Sequence, residues 1–307
     1  MIFTKPEGVR LNAPENLYYL SSPEHLHEAY QKNIPLEARA VSCDCEHNLR
    51  VELGALEGII YRDECALGID DGEIRDIAVI SRVNKPVCFY IEGFTRTDGR
   101  EIAILSRRRV QREFSEKVAE ELTPGDIIDA RVTHLEPFGA FCDIGCGVTS
   151  LLPIDNISVS RIPHPSARFR VSDDIKACVK SFDEFGRITL THKELLGTWE
   201  ENASLFHTGE TVSGIIRSIE SYGVFVELTP NLAGLAESVP DCAVGDHASV
   251  YIKSIIPDKM KFKLIIVDSF RADYPPKKPE YYIDKGHIDR FRYSPDGCEK
   301  ITETLFM

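Results

Sequence analysis

The stretch Pro137-Phe138-Gly139-Ala140-Phe141-Cys142-Asp143-Ile144-Gly145 returns as Ser221-Tyr222-Gly223-Val224-Phe225-Val226-Glu227-Leu228, with a spacing of 84 between Phe138 and Tyr222. An aromatic, a glycine, one residue and a second aromatic conflict with a regular half-buried strand, where side chains three apart point to opposite faces. A glycine inside a strand pattern commonly marks a bulge that shifts the alternation by one. The stretch therefore predicts both rings on one outer face, Cys142 and Ile144 in the core, and Asp143 outside. Two exposed rings on a small barrel form a stacking platform for unpaired bases, each worth about 1–3 kcal/mol. A single copy reads more simply as one core ring beside a stray surface ring. Two copies in the same frame favour the platform.

The repeat sets the frame for the rest of the chain. Ile127–Glu136 matches Thr211–Glu220 at the same offset, whereas Lys180 and Lys253 are 73 apart, so the later copy lacks about eleven residues between its third and fourth strands. Loops tolerate such changes of length. In the earlier copy, strands are expected at Ile127–Leu135, Phe138–Ile144, Ser150–Pro153, Ile175–Asp183 and Arg187–Thr191. Asp183-Glu184-Phe185-Gly186 turns the last pair, and a basic loop, Ser158–Arg170, carries Arg161, His164, Arg168 and Arg170. Upstream, Leu36–Cys43, Leu49–Leu53, Leu56–Tyr61, Val87–Gly93 and Glu101–Leu105 read as five more strands, with a hairpin turn at Thr97-Asp98-Gly99-Arg100.

The expected fold class is all-β: three tandem five-stranded barrels joined by short helices. The expected boundaries are a helical segment over 1–35, barrels over 36–108, 123–197 and 208–268, and an ordered C-terminal extension over 269–307 packed on the third barrel. Ser22-Pro23-Glu24 offers an N-cap with proline at the first helical position. The run Arg107-Arg108-Arg109-Val110-Gln111-Arg112 leads into helix-prone Glu116–Leu122 and reads as a solvated face of a connector, with phosphate contact as the lesser reading. Thr198-Trp199-Glu200-Glu201 has capping-box spacing and places Trp199, the only tryptophan, between modules. The extension holds Tyr281, Tyr282, Phe291 and Tyr293, aromatics that disordered tails rarely carry.

A net charge of −13 opposes binding to a polyanion. The acid is uneven, however: residues 123–197 hold eight basic side chains against ten carboxylates, a net of only −2. Modest, salt-sensitive affinity for single strands follows, carried by stacking, with little grip on duplexes. The N-terminus shows no basic segment followed by an apolar run, and nowhere are there 18 consecutive apolar residues, so a cytoplasmic chain with no membrane partner is expected. Nine cysteines without paired CxxC spacing indicate reduced thiols rather than disulfides or a zinc ribbon.

Gly125-x-x-x-x-Ala130-x-Val132, followed by Phe138-Gly139-Ala140-Phe141 and closed by Gly186-Arg187-Ile188-Thr189-Leu190-Thr191-x-Lys193, resembles the RNA-binding S-one domain of the ribosomal protein S-one family. The resemblance covers about residues 36–268 and is eroded in the first module. Lys193-Glu194-Leu195-Leu196-Gly197-Thr198-Trp199 and Val83-Asn84-Lys85-Pro86-Val87 look like the shorter bacterial members. The resemblance implies five-stranded OB-folds whose binding face combines two aromatics, a histidine, and an aspartate and arginine flanking the last turn. The second module matches with Phe138, Phe141, Asp183 and Arg187, and has Pro153 at the histidine position. The third matches with Tyr222, Phe225 and Lys261, but has Glu237 at the histidine position and Pro257-Asp258 at the aspartate position, which implies weaker binding. In the first, His47 and Arg50 replace the aromatics and Tyr61 the histidine, with Asp98 and Arg100 near the last turn. Weaker RNA-binding candidates are thus His47, Arg50, Tyr61, Arg161, Arg168 and Arg170.

The implied activity is non-catalytic binding of single-stranded RNA such as mRNA, linked to translation, with the small ribosomal subunit as a candidate partner and no cofactor. The chain lacks G-x-x-x-x-G-K-[ST], G-x-S-x-G and H-E-x-x-H, so no catalytic residues are assigned. Cys43-x-Cys45-x-His47 offers three metal-ligand types but no fourth, and no metal site is assigned. The competing reading is a protein-docking factor for ribosome or RNA-processing machinery with little direct RNA contact.

Overall fold

Short strand-forming runs separated by Gly, Pro and Asp turns leave sheet edges unpaired unless the sheets close on themselves. The chain takes that solution: it is mostly β, built of closed five-stranded barrels with few helices. The structure is a computed structural model and describes residues 5–69, 72, 74–238 and 242–307. No helix among them is long and apolar enough to cross a membrane. The chain packs as two units, residues 1–122 with 143–149, and residues 123–142 with 150–307.

In the first unit, α1 (Pro14–Leu20) and α2 (Pro23–Gln31) precede β1 (Leu36–Cys43), β2 (Leu49–Glu52) and β3 (Glu57–Ile60), and then α3 (Asp76–Ile80), β4 (Pro86–Thr97), β5 (Arg100–Ser106) and α4 (Arg107–Glu121). The strands close in the order β1-β2-β3-β5-β4. At the start of α2, Ser22 Oγ accepts the His25 N–H at 3.2 Å, and the helix buries Leu26 and Ala29 against a core containing Leu36, Phe89 and Leu105. The sequence reading missed α1, which has no side-chain N-cap to announce it.

The arginine run is not a solvated face. Arg107 is buried, and its Nε donates to Glu7 Oε1 at 2.7 Å, while Arg109 pairs with Glu92 and Glu113. Burial opposes charge on Glu7, but the guanidiniums of Arg107 and Arg82 hold its carboxyl below the usual range. Asp143 is also buried, contrary to the alternation argument, because the N-terminal segment lies over it and the Glu7 N–H donates to its Oδ2 at 2.8 Å. Burial, and then the Glu7 charge, push the Asp143 carboxyl up to about 6.

In the second unit, with residues 143–149 of two strands counted in the first, β6 (Ile127–Glu136), β7 (Gly139–Gly145), β8 (Val148–Pro153), β9 (Asp174–Phe182) and β10 (Ile188–Thr191) close as β10-β8-β7-β6-β9. After α5 (Trp199–Ala203), strands β11 (Thr211–Glu220), β12 (Gly223–Thr229), β13 (Leu232–Ala236), β14 (His247–Ile256) and β15 (Lys261–Phe270) close as β11-β12-β13-β15-β14. A small antiparallel pair follows, β16 (Arg290–Arg292) and β17 (Glu303–Leu305). Thr198 and Glu201 form the reciprocal capping box, which aims Trp199 into a core where its ring lies 5.8 Å from that of Phe262.

One buried asparagine ties this unit together. Asn231 Nδ2 donates to the carbonyls of Lys193 and Gly197 at 2.7 and 2.9 Å, its Oδ1 accepts the Val159 N–H at 3.0 Å, and its carbonyl accepts the Tyr293 hydroxyl at 2.5 Å. The C-terminal extension packs on both barrels of the unit rather than on the third alone. Ile288, Phe291, Tyr293 and Phe306 join the core of β11–β15, while the Tyr281 hydroxyl accepts the Lys176 N–H of β9 at 3.0 Å. Tyr281 also meets His192 at 3.2 Å. Burial lowers the His192 pKa to about 4, so the neutral ring donates from Nδ1 to the Ile157 carbonyl at 2.8 Å.

Candidate nucleic-acid interface

The two rings of each pair come together for a reason other than the one the sequence suggests. Phe138 and Tyr222 are not strand residues. Each is the second residue of a two-residue hairpin turn, Pro137-Phe138 between β6 and β7 and Ser221-Tyr222 between β11 and β12. Alternation does not constrain a turn residue, so its ring folds back over the strand that follows. The bulge in the third barrel lies on the partner strand: the β11–β12 register shifts between Ile216 and Ser218, leaving Arg217 as the extra residue. The glycines answer a steric demand instead. A Cβ on Gly139 would sit 2.6 Å from the Leu152 carbonyl oxygen. One on Gly223, at φ +151°, would sit 2.5 Å from that of Ala236.

In the second barrel, Phe138 is 54% exposed and meets half-buried Phe141 edge to face, with centroids 5.9 Å apart and planes at 88°. The third barrel repeats this with Tyr222, 68% exposed, and Phe225 at 6.1 Å and 89°. Each pair presents one ring face and one ring edge, a geometry on which flat groups stack. His134 on β6 lies nearly parallel to Phe141, with centroids 6.4 Å apart, and extends the second-barrel platform.

Asp183 and Arg187 are joined across the turn between β9 and β10. Arg187 Nε donates to Asp183 Oδ2 at 2.8 Å, and the same carboxylate accepts the backbone N–H groups of Phe185 and Arg187 at 2.9 Å. The Arg187 hydrogen bond holds the Asp183 carboxyl below the usual range. The Arg187 guanidinium lies 4.9 Å over the ring of Phe185, itself 69% exposed. Phe185 and His134 were missed from sequence. The sequence places Phe185 in a turn, and an aromatic at a turn tip is itself a signal of exposure.

Lys261 opens β15, exposed to solvent. In the first barrel the corresponding charges are taken up internally: Arg50 Nη1 pairs with Glu57 at 2.8 Å, and His47 Nδ1 lies 3.6 Å from Asp76, which also holds Arg62 at 2.7 Å. Tyr61 is exposed but precedes a short helical turn, without a ring partner among the described residues. Arg161 and Arg170 are exposed. Arg168 is in a different place: it is buried, and its Nη2 donates to Glu227 Oε2 at 2.5 Å. Arg217 Nε donates to the same oxygen at 2.8 Å. The loop around it is docked, with the Ser160 N–H donating to the Pro230 carbonyl at 3.0 Å. Arg168 is therefore a structural cation of this unit and not a surface contact. Among the described residues no group of three His, Cys, Asp or Glu side chains forms a metal cradle.

Residues 121–193 match the S1 RNA binding domain family, the S-one domain of the resemblance above. The chain is also similar to the small ribosomal subunit protein bS1 of Staphylococcus aureus, with 33% identity over 165 residues covering 48% of this chain and 42% of that one. Its identity to the bS1 protein of Leuconostoc lactis is 33% over 138 residues, covering 43% and 32%. The match thus spans less than half the length of these curated relatives. Among solved structures, a multidomain protein with nucleic acid binding domains from Streptococcus pneumoniae aligns over 76% of this chain and 73% of that one, at 13% identity and a TM-score of 0.25. GSP13 from Bacillus subtilis aligns over 23% and 55%, at 24% identity and a TM-score of 0.22.

Proposed function

We propose that this S1-like chain is a non-catalytic binder of single-stranded RNA, built as three tandem OB modules of which the second and third carry the RNA. The observation that carries this reading is the exposed edge-to-face ring pair occurring twice, at the same hairpin position of two barrels. A solvent-facing ring pair contributes little to its own barrel's core, so repeated retention of that geometry is best explained by something that stacks on it. In the second barrel Phe138 and Phe141 take bases, Phe185 and Arg187 take a third flat group or a phosphate, and Asp183 holds Arg187 in place. In the third, Tyr222 and Phe225 take bases beside Lys261. Arg161 and Arg170 are peripheral phosphate contacts. The first barrel, whose His47 and Arg50 are paired to carboxylates, contributes a protein contact in place of an RNA face. The small ribosomal subunit is its partner, a reading that the relatives' printed name supports, and with it go a role in translation, mRNA as the RNA and a cytoplasmic location.

Titration of labelled single-stranded RNA at two salt concentrations tests the reading. Micromolar-range affinity that falls with salt, and that weakens in Phe138→Ala and Phe141→Ala, supports it. Absence of binding by the intact chain, together with no effect of either substitution, refutes it in favour of a docking factor. Co-sedimentation with ribosomal subunits from a cell extract tests the partner.

A further inference from the structure

Matching motif positions ranks the third barrel below the second as an RNA binder, because it lacks the aspartate and the arginine. The strand register points the other way. Phe225 on β12 is directly opposite Leu235 on β13, and Leu235 is directly opposite Lys263 on β15. Directly opposed residues project to the same side of a sheet, so the three form one row on the outside of the barrel. Phe262 and Leu264, which alternate with Lys263 along the strand, are buried and confirm the side. The next outward residue on β15, Ile265, faces Tyr251 on β14, which is 38% exposed. Exposed Lys253 sits at the β14 bulge between Ile252 and Ser254, beside Lys263.

Among the described residues, none of Lys253, Lys259, Lys261 and Lys263 makes an ion pair or side-chain hydrogen bond. By contrast Arg50, Arg187 and Lys176 are paired, with Glu57, Asp183 and Asp129. In a protein of net charge −13, Lys253 and Lys263 on the strands that carry exposed Tyr251, in line with Phe225, present a local surface complementary to a polyanion bearing flat groups.

We propose that an RNA strand stacked on Tyr222 and Phe225 continues across Leu235 onto β14 and β15, where Lys263 and Lys253 neutralise phosphates and Tyr251 takes a further base. This extends the proposed RNA-binding reading and rests on it. The occupant is single-stranded RNA because the face continues the row of Phe225 and carries two lysines without carboxylate partners among the described residues. The third barrel is then the stronger phosphate binder of the two, despite its poorer match to the motif.

Fluorescence anisotropy of a labelled twelve-nucleotide uridine RNA against the full chain, from 50 to 200 mM KCl, tests it. The double variant Lys253→Gln, Lys263→Gln should flatten the slope of log affinity against log salt by about 1.4, at roughly 0.7 per phosphate contact on a single strand. Tyr251→Ala should weaken binding about tenfold at every salt concentration without changing the slope, and Tyr251→Phe should retain wild-type affinity. Lys277→Gln, Lys278→Gln removes the same charge from the exposed C-terminal extension and should leave the slope unchanged. Trp199 fluorescence of each variant reports that the barrels remain folded. Wild-type slope and affinity in both the lysine and tyrosine variants overturns this inference. If Phe138→Ala still weakens binding in that case, RNA binding stands and only the extended track falls. A wild-type chain that binds no RNA overturns both.

Discussion

Replacing Glu227 with alanine tests the seam that fixes the second and third barrels to each other. Arg168 Nη2 reaches this buried carboxylate at 2.5 Å, and Arg217 Nε and Nη2 reach it at 2.8 and 2.9 Å. Each charge-assisted hydrogen bond contributes about 1.5–3 kcal/mol, so three added without relaxation come to roughly 4.5–9 kcal/mol. That sum is an upper bound, because water and side-chain movement relieve the vacancy. Losing one partner of a buried pair costs about 3–5 kcal/mol in practice. Two guanidiniums left facing each other place Glu227→Ala at about 4 kcal/mol, a fall in melting temperature of about 8–16 °C for a unit of this size. Trp199 is buried in the same core and reports the transition by its fluorescence. Glu227→Gln keeps one acceptor and should recover about half of the loss. Adding Arg168→Met to Glu227→Ala removes a stranded charge, so the double variant should be less destabilised than the sum of the singles by about 1–3 kcal/mol. A loss below about 1 kcal/mol for Glu227→Ala, or additive Arg168 and Glu227 effects, would refute the account of this seam.

Three further outcomes follow from particular contacts. Gly223→Ala places a Cβ 2.5 Å from the Ala236 carbonyl at φ +151°, and should lower stability by about 1–3 kcal/mol in urea denaturation; no measurable loss would show that β13 can move away. Thr198→Ala removes the capping box of α5 and should cost about 0.5–2 kcal/mol in the same assay, with Thr198→Ser close to wild type. His287 donates from Nδ1 to Asp126 at 2.8 Å, and this hydrogen bond raises its pKa above the ordinary value. The contact therefore supports docking of the extension fully below the ordinary histidine pKa and loses that support as pH rises through the raised value. Protection factors at residues 286–290, taken relative to the base-catalysed intrinsic exchange rate, should fall over that rise in the wild type, and should be independent of pH in His287→Ala.

Much of the first-level organisation was legible without coordinates. The strands of the second barrel were placed to within a few residues, because short β-branched runs bounded by Gly, Pro and Asp leave few alternatives. Ser22 and Thr198 announced their helices because capping is a local hydrogen bond written into adjacent residues. The ring pairs were found because a repeat in frame is visible in one dimension. Their mechanism was not: the backbone of a neighbouring strand is what requires Gly139 and Gly223, and that strand is distant in sequence for a Cβ argument.

Local chemistry in the chain, then, determined which segments become strands, where helices begin and which rings recur together. Only the folded molecule decided how the charges are used. Arg107 and Arg168 look in sequence like Lys263, yet the first two are buried against Glu7 and Glu227 while Lys263 stands free on the row of Phe225. A side chain's identity sets the charge it can carry. Its partners come from residues tens of positions away, and only the packing of segments, helices and barrels on one another brings them within hydrogen-bonding distance or keeps them out of it.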